Sequence, residues 1–358
     1  MEHPASGNLQ DGAADGHSTS TPPALPRSVT IRDVAQAAGV AVSTVSRALS
    51  NPERVNAATR ERITRIAQDL DYVPSSQARA LSSGRTGAVA LLVPDVTNPF
   101  YFDIIRGTQN QLKAAGYTQL LVDTEESAEV EADALARLRR TCDGVVLVAS
   151  RLNDAGIAEM ALQLPLVTIN REVPGVPTVI IDTPGSLKQA LEHLSSLGHR
   201  HIVYVAGPPS SWSNRLRLAA LQELARLGGL QLSVVGPFTP RTSSGAAAAD
   251  AVLNSGASAA LAFNDLIAIG MLQRFAARGV RIPEQLSLVG CDDVFGADFC
   301  NPPLTTISAP TEQAGRVAIS MLLGRVAPGG LGGGTRERAV LPTHLTVRQS
   351  TGQRASGS

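Results

Sequence analysis

Lysine is almost absent from this chain: Lys113 and Lys188 stand against 29 arginines. Together with abundant alanine and glycine, that skew fits a GC-rich coding sequence and says nothing about function. Cysteine is scarce too. Cys142, Cys291 and Cys300 are odd in number and widely spaced, which excludes a disulfide framework and a metal-ligand pattern and predicts buried structural thiols in a reducing cytoplasm. No apolar run approaches the roughly 18 residues that cross a bilayer, so no membrane partner is expected. The first 26 residues contain neither Lys nor Arg and no apolar stretch, so they lack what a secretory signal needs and read as a disordered leader. No nucleophile–base spacing and no phosphate-loop glycine pattern is present. His199 and His201 flank Arg200 where a loop enters a strand, with no third ligand at matching spacing, so a structural role is expected rather than a metal site. Neither an enzyme nor a cofactor is expected.

What is present begins at Thr30. Thr30 with Asp33 three residues on predicts a capping-box start. Ile31, Val34, Ala35 and Ala38 then share one helical face, and Gly39 ends the helix where a left-handed residue is needed. A second helix over roughly Val42 to Leu49 turns Val45 and Leu49 inward and leaves Val42, Ser43, Ser46 and Arg47 outward. Ile63, Ile66, Ala67 and Leu70 predict a third helix, capped at Asn56. A helix, a glycine turn and a short helix with small polar side chains outward can enter the major groove of DNA; an ordinary helical hairpin is the plain alternative.

Charge favours the first reading. The whole chain has net charge zero, but residues 27–86 carry nine arginines and five acids, a balance of +4. The leader (Glu2, Asp11, Asp15) and a body of net charge −1 from Gly87 onward hide this basic head, which is the footprint of phosphate contact.

After Tyr72-Val73-Pro74, where proline stops the third helix, residues 75–84 hold one or two helical turns, too short to be stable alone. Leu81 there is equally a linker residue or a wedge between base steps in the minor groove. From Gly87 short apolar runs alternate with amphipathic stretches. Ala88 to Val93, Gln119 to Val122, Gly144 to Val148, Leu166 to Ile169, His201 to Val205, Ala259 to Phe263 and Leu286 to Gly290 are strand candidates. Repeated strand–helix units predict an α/β body with parallel sheets, and its size predicts two sheets with a cleft between them. Ligands of such sheets sit beyond the strand C-termini. Asp95 with Asn98, Phe100 and Tyr101, then Asn170 and Arg171, Trp212 with Arg215 and Arg217, Asn264 and Asp265, and Asp292 and Asp293 all lie there. Guanidinium, amide and carboxylate groups clamp vicinal hydroxyls while aromatic faces cover a ring, so a small polar ligand is expected.

The chain resembles the lactose-repressor/galactose-repressor (LacI-type) family of bacterial transcription regulators from about Val29 to Ser350. The matching motifs are Asp33-Val34-Ala35 with Ala38-Gly39-Val40, Thr44-Val45-Ser46-Arg47, Tyr72 with Pro74, Ala78-Arg79 with Leu81, Asn98-Pro99-Phe100, Asn264-Asp265, Gly290 with Asp292-Asp293, and Pro303-Leu304-Thr305-Thr306. The resemblance implies a helix-turn-helix three-helix head, a hinge helix, and a two-subdomain body like periplasmic sugar-binding proteins. The corresponding segments are a leader over 1–28, a head over 29–74, a hinge over 75–86, an effector-binding and dimerisation body over 87–347, and a flexible tail over 348–358. It also implies a cytoplasmic homodimeric repressor on a near-palindromic operator of double-stranded DNA, released by a sugar or sugar derivative. A nucleobase or phosphorylated metabolite acting as co-repressor is the alternative, and a solute-binding transport protein a remote one. Val42, Ser43 and Arg47 match base-reading positions, with Thr30, Thr44 and Ser46 beside them. Ala78, Arg79 and Leu81 match the hinge, Leu81 as its minor-groove leucine. Asn98, Phe100, Arg171, Trp212, Arg217, Asn264 and Asp292 match effector positions. Three residues depart from the pattern. Ala41 stands where serine is common, losing a cap typically worth ~1 kcal/mol; Ser75 replaces an asparagine and Ala220 a glycine. Arg348 to Ser358 has no leucine heptad for a tetramerising coiled coil, so a dimer is expected.

Overall fold

The computed structural model describes residues 29–50, 52–72, 85–326 and 337–354, in two compact units divided after Arg79. The expected leader and the hinge helix with Ala78, Arg79 and Leu81 lie outside the described residues.

In the first unit Asp33 turns back at the start of α1 (Ile31–Ala38), its carboxylate accepting from the Thr30 amide and hydroxyl, each at 2.7 Å. The negative charge meets the unpaired amides of the first turn. Gly39 closes the helix at φ 62°, a conformation a side chain would penalise. Helices α2 (Val42–Ser50) and α3 (Ala57–Asp69) follow, α3 capped by Asn56 accepting from the Ala58 amide at 3.0 Å. The three helices close on Val34, Val45 and Ile63, all fully buried, with Ala35, Ala38, Ala48 and Ala67 around them. Small alanines let the helices approach, but so small a core is only marginally self-sufficient.

The second unit contains two six-stranded sheets. In the first, β1 (Ala88–Val93), β2 (Thr118–Asp123), β3 (Gly144–Val148), β4 (Leu166–Ile169), β5 (Thr178–Asp182) and β11 (Arg338–Pro342) lie in the order β11-β5-β4-β3-β1-β2, all parallel. In the second, β6 (His201–Val205), β7 (Gln231–Val235), β8 (Ala259–Ala262), β9 (Ser287–Asp292), β10 (Thr305–Ser308) and β12 (His344–Thr346) lie in the order β12-β10-β9-β8-β6-β7, with only the β10–β12 pair antiparallel. Central strands such as β3 and β8 are buried throughout, as helices covering both faces of a parallel sheet require.

The chain passes between the sheets through α7 (Thr183–Ser196) after β5, returns through α11 (Thr311–Val326) after β10, and crosses again at Thr343. The Thr343 hydroxyl donates to the Asp182 carbonyl at 2.7 Å and lies 2.6 Å from the Ser186 hydroxyl, so two crossings are tied together. Helix α11 lies directly on α4 (Phe100–Ala114). A Cβ on Gly107 would strike the Glu312 backbone and one on Gly315 the Ile104 carbonyl, so the two glycines allow main-chain contact.

Two expectations are corrected. Residues 348–354 are not a flexible tail. The Ser350 hydroxyl, fully buried, donates to the Leu288 carbonyl at 2.6 Å and accepts from the Thr305 amide at 2.8 Å. The Gly352 amide donates to Ser287 Oγ at 3.0 Å, and the Arg354 amide to the Leu197 carbonyl at 2.8 Å. These bonds run to main-chain and hydroxyl groups distant in sequence, which composition does not reveal. His199 joins the same strap, with Nδ1 2.8 Å from Ser258 Oγ and Nε2 3.1 Å from the Gly352 carbonyl. Cys142 and Cys291 are buried as expected, but Cys300 is half-buried, on the short loop before β10.

Candidate functional site

The strand ends of both sheets converge on one inner chamber. Asn98 and Phe100 follow β1, Glu126 follows β2, Arg151 follows β3 and Asn170 follows β4; from the facing sheet come Arg217, Phe263, Asn264 and Asp292. This is where open parallel sheets place ligands. The backbone there is unusual. Glu126, Ala149, Asn170, Asp292 and Asp293 all have positive φ, between 46° and 119°, which side chains resist. Such strain persists only where surrounding structure enforces it, and it gathers at binding sites.

Arg217, on α8 (Trp212–Leu227), is 5% exposed. It donates from Nη1 to the Phe263 carbonyl at 2.5 Å and from Nη2 to Asp292 at 3.4 Å, and its guanidinium lies 5.0 Å from the Phe263 ring centre. Its Nε is buried with no hydrogen-bond partner. Burial opposes its charge, but Cys291 and Asp292 beside it hold it protonated. Burial pushes the Asp292 carboxyl up to about 6, against the lowering influence of Arg217. Asp265, behind Asp292, is pushed up to about 7 by burial and by the Asp292 charge, and its oxygens accept from the Thr306 hydroxyl at 2.6 Å and the Val294 amide at 2.9 Å. At neutral pH Arg217 and Asp292 thus offer a charged donor and acceptor side by side, the arrangement that grips vicinal hydroxyls. On the opposite wall Arg151 donates from Nε to Glu126 at 2.7 Å and from Nη1 to the Ala149 carbonyl at 2.7 Å.

The inner chamber encloses only about 30 Å³, room for one water rather than a sugar ring. Across its rim Arg241 Nε approaches Asp95 at 3.4 Å, joining the two lobes. Five of the seven expected effector residues line this chamber: Asn98, Phe100, Arg217, Asn264 and Asp292. Arg171 and Trp212 line instead a neighbouring outer chamber of about 720 Å³, which shares Arg151 and adds Arg215.

In the head, α2 carries the other candidate surface. Val42 is 41% exposed, Ser43 and Arg47 are exposed, and Thr44 and Ser46 are half-buried. Ala41 has no side-chain oxygen to cap the helix; its carbonyl accepts from the Thr44 and Val45 amides at 2.9 and 3.2 Å. Arg32, Arg54, Arg60, Arg62 and Arg65 are exposed on the same unit.

Two family descriptions match this chain: "Bacterial regulatory proteins, lacI family" over residues 30–75, and "Periplasmic binding protein-like domain" over residues 191–351. The repressor CytR of Escherichia coli (strain K12) is 33% identical over 330 residues, covering 90% of this chain and 96% of its own. The chain belongs to the LacI family. This regulator also superposes on the lac repressor dimer solved with operator and the anti-inducer ONPF, at TM-score 0.80 and 26% identity, over 91% of this chain and 100% of the other. The CelR–cellobiose complex matches at TM-score 0.65 and 32% identity, over 90% of this chain and 99% of that one. The α/β fold with a helix-turn-helix head and a periplasmic-binding-protein-like body is therefore that of a DNA-binding transcriptional regulator. Its relatives are regulators rather than enzymes. No helix among the described residues is long and apolar enough to cross a membrane.

In this LacI-family chain Glu126 and Arg151, which are not among the residues expected in the cleft, also line the inner chamber. The strand-end rule that singled out Asn98 and Asn170 reaches both, since each lies just past a strand end. Phe263 ends an apolar run that reads as strand, yet its ring sits under Arg217.

Proposed function

We propose that this chain is a cytoplasmic homodimeric repressor that leaves a near-palindromic operator when a sugar or sugar derivative enters the cleft, with no catalytic step. The observation that carries this reading is the buried Arg217–Asp292 pair at converging strand ends, on the same chain as a helix-turn-helix head. The CelR–cellobiose complex supports a sugar as ligand, and the operator-bound lac repressor supports DNA and a dimer as partners. Val42 suits a thymine methyl and Arg47 a guanine edge or a phosphate, with Thr30, Ser43, Thr44 and Ser46 beside them. Ala78, Arg79 and Leu81 would form the minor-groove element of the hinge.

A chamber of about 30 Å³ has no room for a sugar ring, so a sugar would favour an arrangement in which the lobes have parted. The ligand then shifts DNA affinity only by its differential affinity for the two arrangements. Exposed apolar side chains support the dimer. Phe295 and Phe299 are 80% and 65% exposed with ring centres 5.0 Å apart, and Phe102, Leu120 and Leu121 are exposed on the other lobe.

Capture of genomic fragments by the full-length protein at physiological salt tests the reading. A near-palindrome whose complex dissociates on adding a sugar is the expected result. Diffuse, salt-sensitive capture alone would overturn it, and a sugar that tightens the complex would reverse the sign to co-repression.

A further inference from the structure

Each lobe brings one arginine–carboxylate pair to the inner chamber: Arg217 with Asp292 from the second sheet, and Arg151 with Glu126 from the first. In the second of these pairs the arginine is already engaged. Its Nε and Nη2 both reach Glu126 Oε2, at 2.7 and 2.5 Å, its Nη1 donates to the Ala149 carbonyl at 2.7 Å, and its side chain is only 5% exposed. Its main-chain amide donates to the buried Glu131 carboxyl at 2.9 Å, which fastens the loop after β3. Glu126 is only half used. Both contacts fall on one of its oxygens, so Oε1 has no partner among the described residues, while the side chain keeps 18% exposure and lines the chamber. The backbone on either side of the pair is strained, with φ of 59° at Glu126 and 46° at Ala149.

The neighbouring amides on the same wall supply donors. Asn98 Oδ1 accepts from the Phe100 amide at 3.1 Å and Asn170 Oδ1 from the Ile181 amide at 3.0 Å. A flipped carboxamide would set two donors against each other, so in each case Nδ2 is the group left for a ligand. A sugar hydroxyl needs an acceptor for its own proton as well as a donor. The Ala149 carbonyl already receives Arg151, and the Tyr101 hydroxyl can serve either way. Among the described residues Glu126 is then the one carboxylate that lines the chamber from this lobe. We propose that Glu126 is a specificity-determining residue of the effector site: its Oε1 accepts from one sugar hydroxyl, which accepts in turn from Asn98 or Asn170. Arg151 is the positioning residue that holds the carboxylate there. The proposal rests on the cleft being the sugar site, and all of these groups belong to one lobe.

The test titrates the full-length protein calorimetrically with D-glucose, D-galactose, D-xylose, D-ribose and cellobiose, then with the monodeoxy forms of whichever binds most tightly. Removing one particular hydroxyl is expected to weaken binding about tenfold or more, ~1.4 kcal/mol. Glu126→Gln should weaken the parent sugar by a similar factor and erase the penalty at that position, leaving the penalties at other positions unchanged. Arg151→Gln should reduce the same penalty and no other. Thermal melting accompanies each titration. Glu126→Asp keeps a charge for Arg151 but draws the carboxylate back by one methylene, and gives the same reading if Glu126→Gln does not fold. A parent sugar bound equally by wild type and variant would overturn the proposal, as would deoxy penalties that stay the same at every position; the pair would then only fasten two loops, and the sugar reading would stand. Binding by none of the sugars would remove the proposal and the sugar reading together.

Discussion

The head and the cleft of this chain use similar residues under opposite conditions. In the head, the side chains proposed to contact DNA lie exposed or half-buried on one short helix, over a core of three large and four small residues. In the cleft, charged groups are buried, brought from several strand ends, and held by a strained backbone. The same contrast separates their ion pairs. Glu61 and Arg65 meet at 3.4 Å with side chains 75% and 70% exposed, whereas Arg217 and Asp292 meet at 3.4 Å with side chains 6% and 8% exposed. Distance alone therefore says little; solvent decides what a pair is worth.

Removing one partner of the buried pair should have the largest effect. Arg217→Ala is expected to abolish sugar binding and to destabilise the body by about 3–5 kcal/mol, because Asp292 is left buried and uncompensated; calorimetry and thermal melting measure the two. A truncation in the head core should come next. Ile63→Ala is expected to destabilise it by about 2–5 kcal/mol, enough to unfold so small a unit and abolish operator binding, while the main melting transition of the body stays in place.

Arg47→Ala isolates the DNA-facing surface. If Arg47 reads a base, operator affinity falls by roughly 1–3 kcal/mol with little change on random DNA. If it holds a phosphate, both fall and the salt slope shrinks by about 0.9. Fluorescence anisotropy on operator and random duplexes at several salt concentrations separates the two.

The buried carboxyls Asp292 and Asp265 have folded pKa values of about 6 and about 7. Both exceed the ordinary unfolded value of ~3.9, so the folded state holds their protons longer. Their contribution to stability is present below pH ~4 and is lost as pH rises through the folded values. Asp265→Asn is expected to flatten the dependence of melting temperature on pH over that window. Sugar affinity runs the other way, weakening as Asp292 gains its proton below about pH 6. The smallest effect belongs to the exposed pair: Glu61→Gln is expected to change head stability by no more than about 0.5 kcal/mol.

The contrast also explains what the sequence disclosed. The head was legible because its signals are local: the Thr30–Asp33 contact, Gly39 and the Asn56 cap each act within three residues. Seven of the strands announced themselves as apolar runs. Strand β5 escaped because it follows β4 with no intervening helix, breaking the strand–helix alternation, and β10 because Thr305, Thr306 and Ser308 look polar although all are buried. Strand-end logic located much of the cleft, but the division into inner and outer chambers was not legible. Whether Arg171 and Trp212 join Arg217 or stand apart depends on how two lobes meet, and no spacing along the chain encodes that.

Coupling between cleft and head is measured by calorimetric sugar affinity of the full-length protein, alone and saturated with operator duplex. If cleft and head are coupled, linkage requires operator to change sugar affinity by the same factor by which sugar changes operator affinity, typically about 5- to 150-fold. That reciprocal change, lost in Arg217→Ala, is the expected result. Equal sugar affinity with and without operator would contradict it.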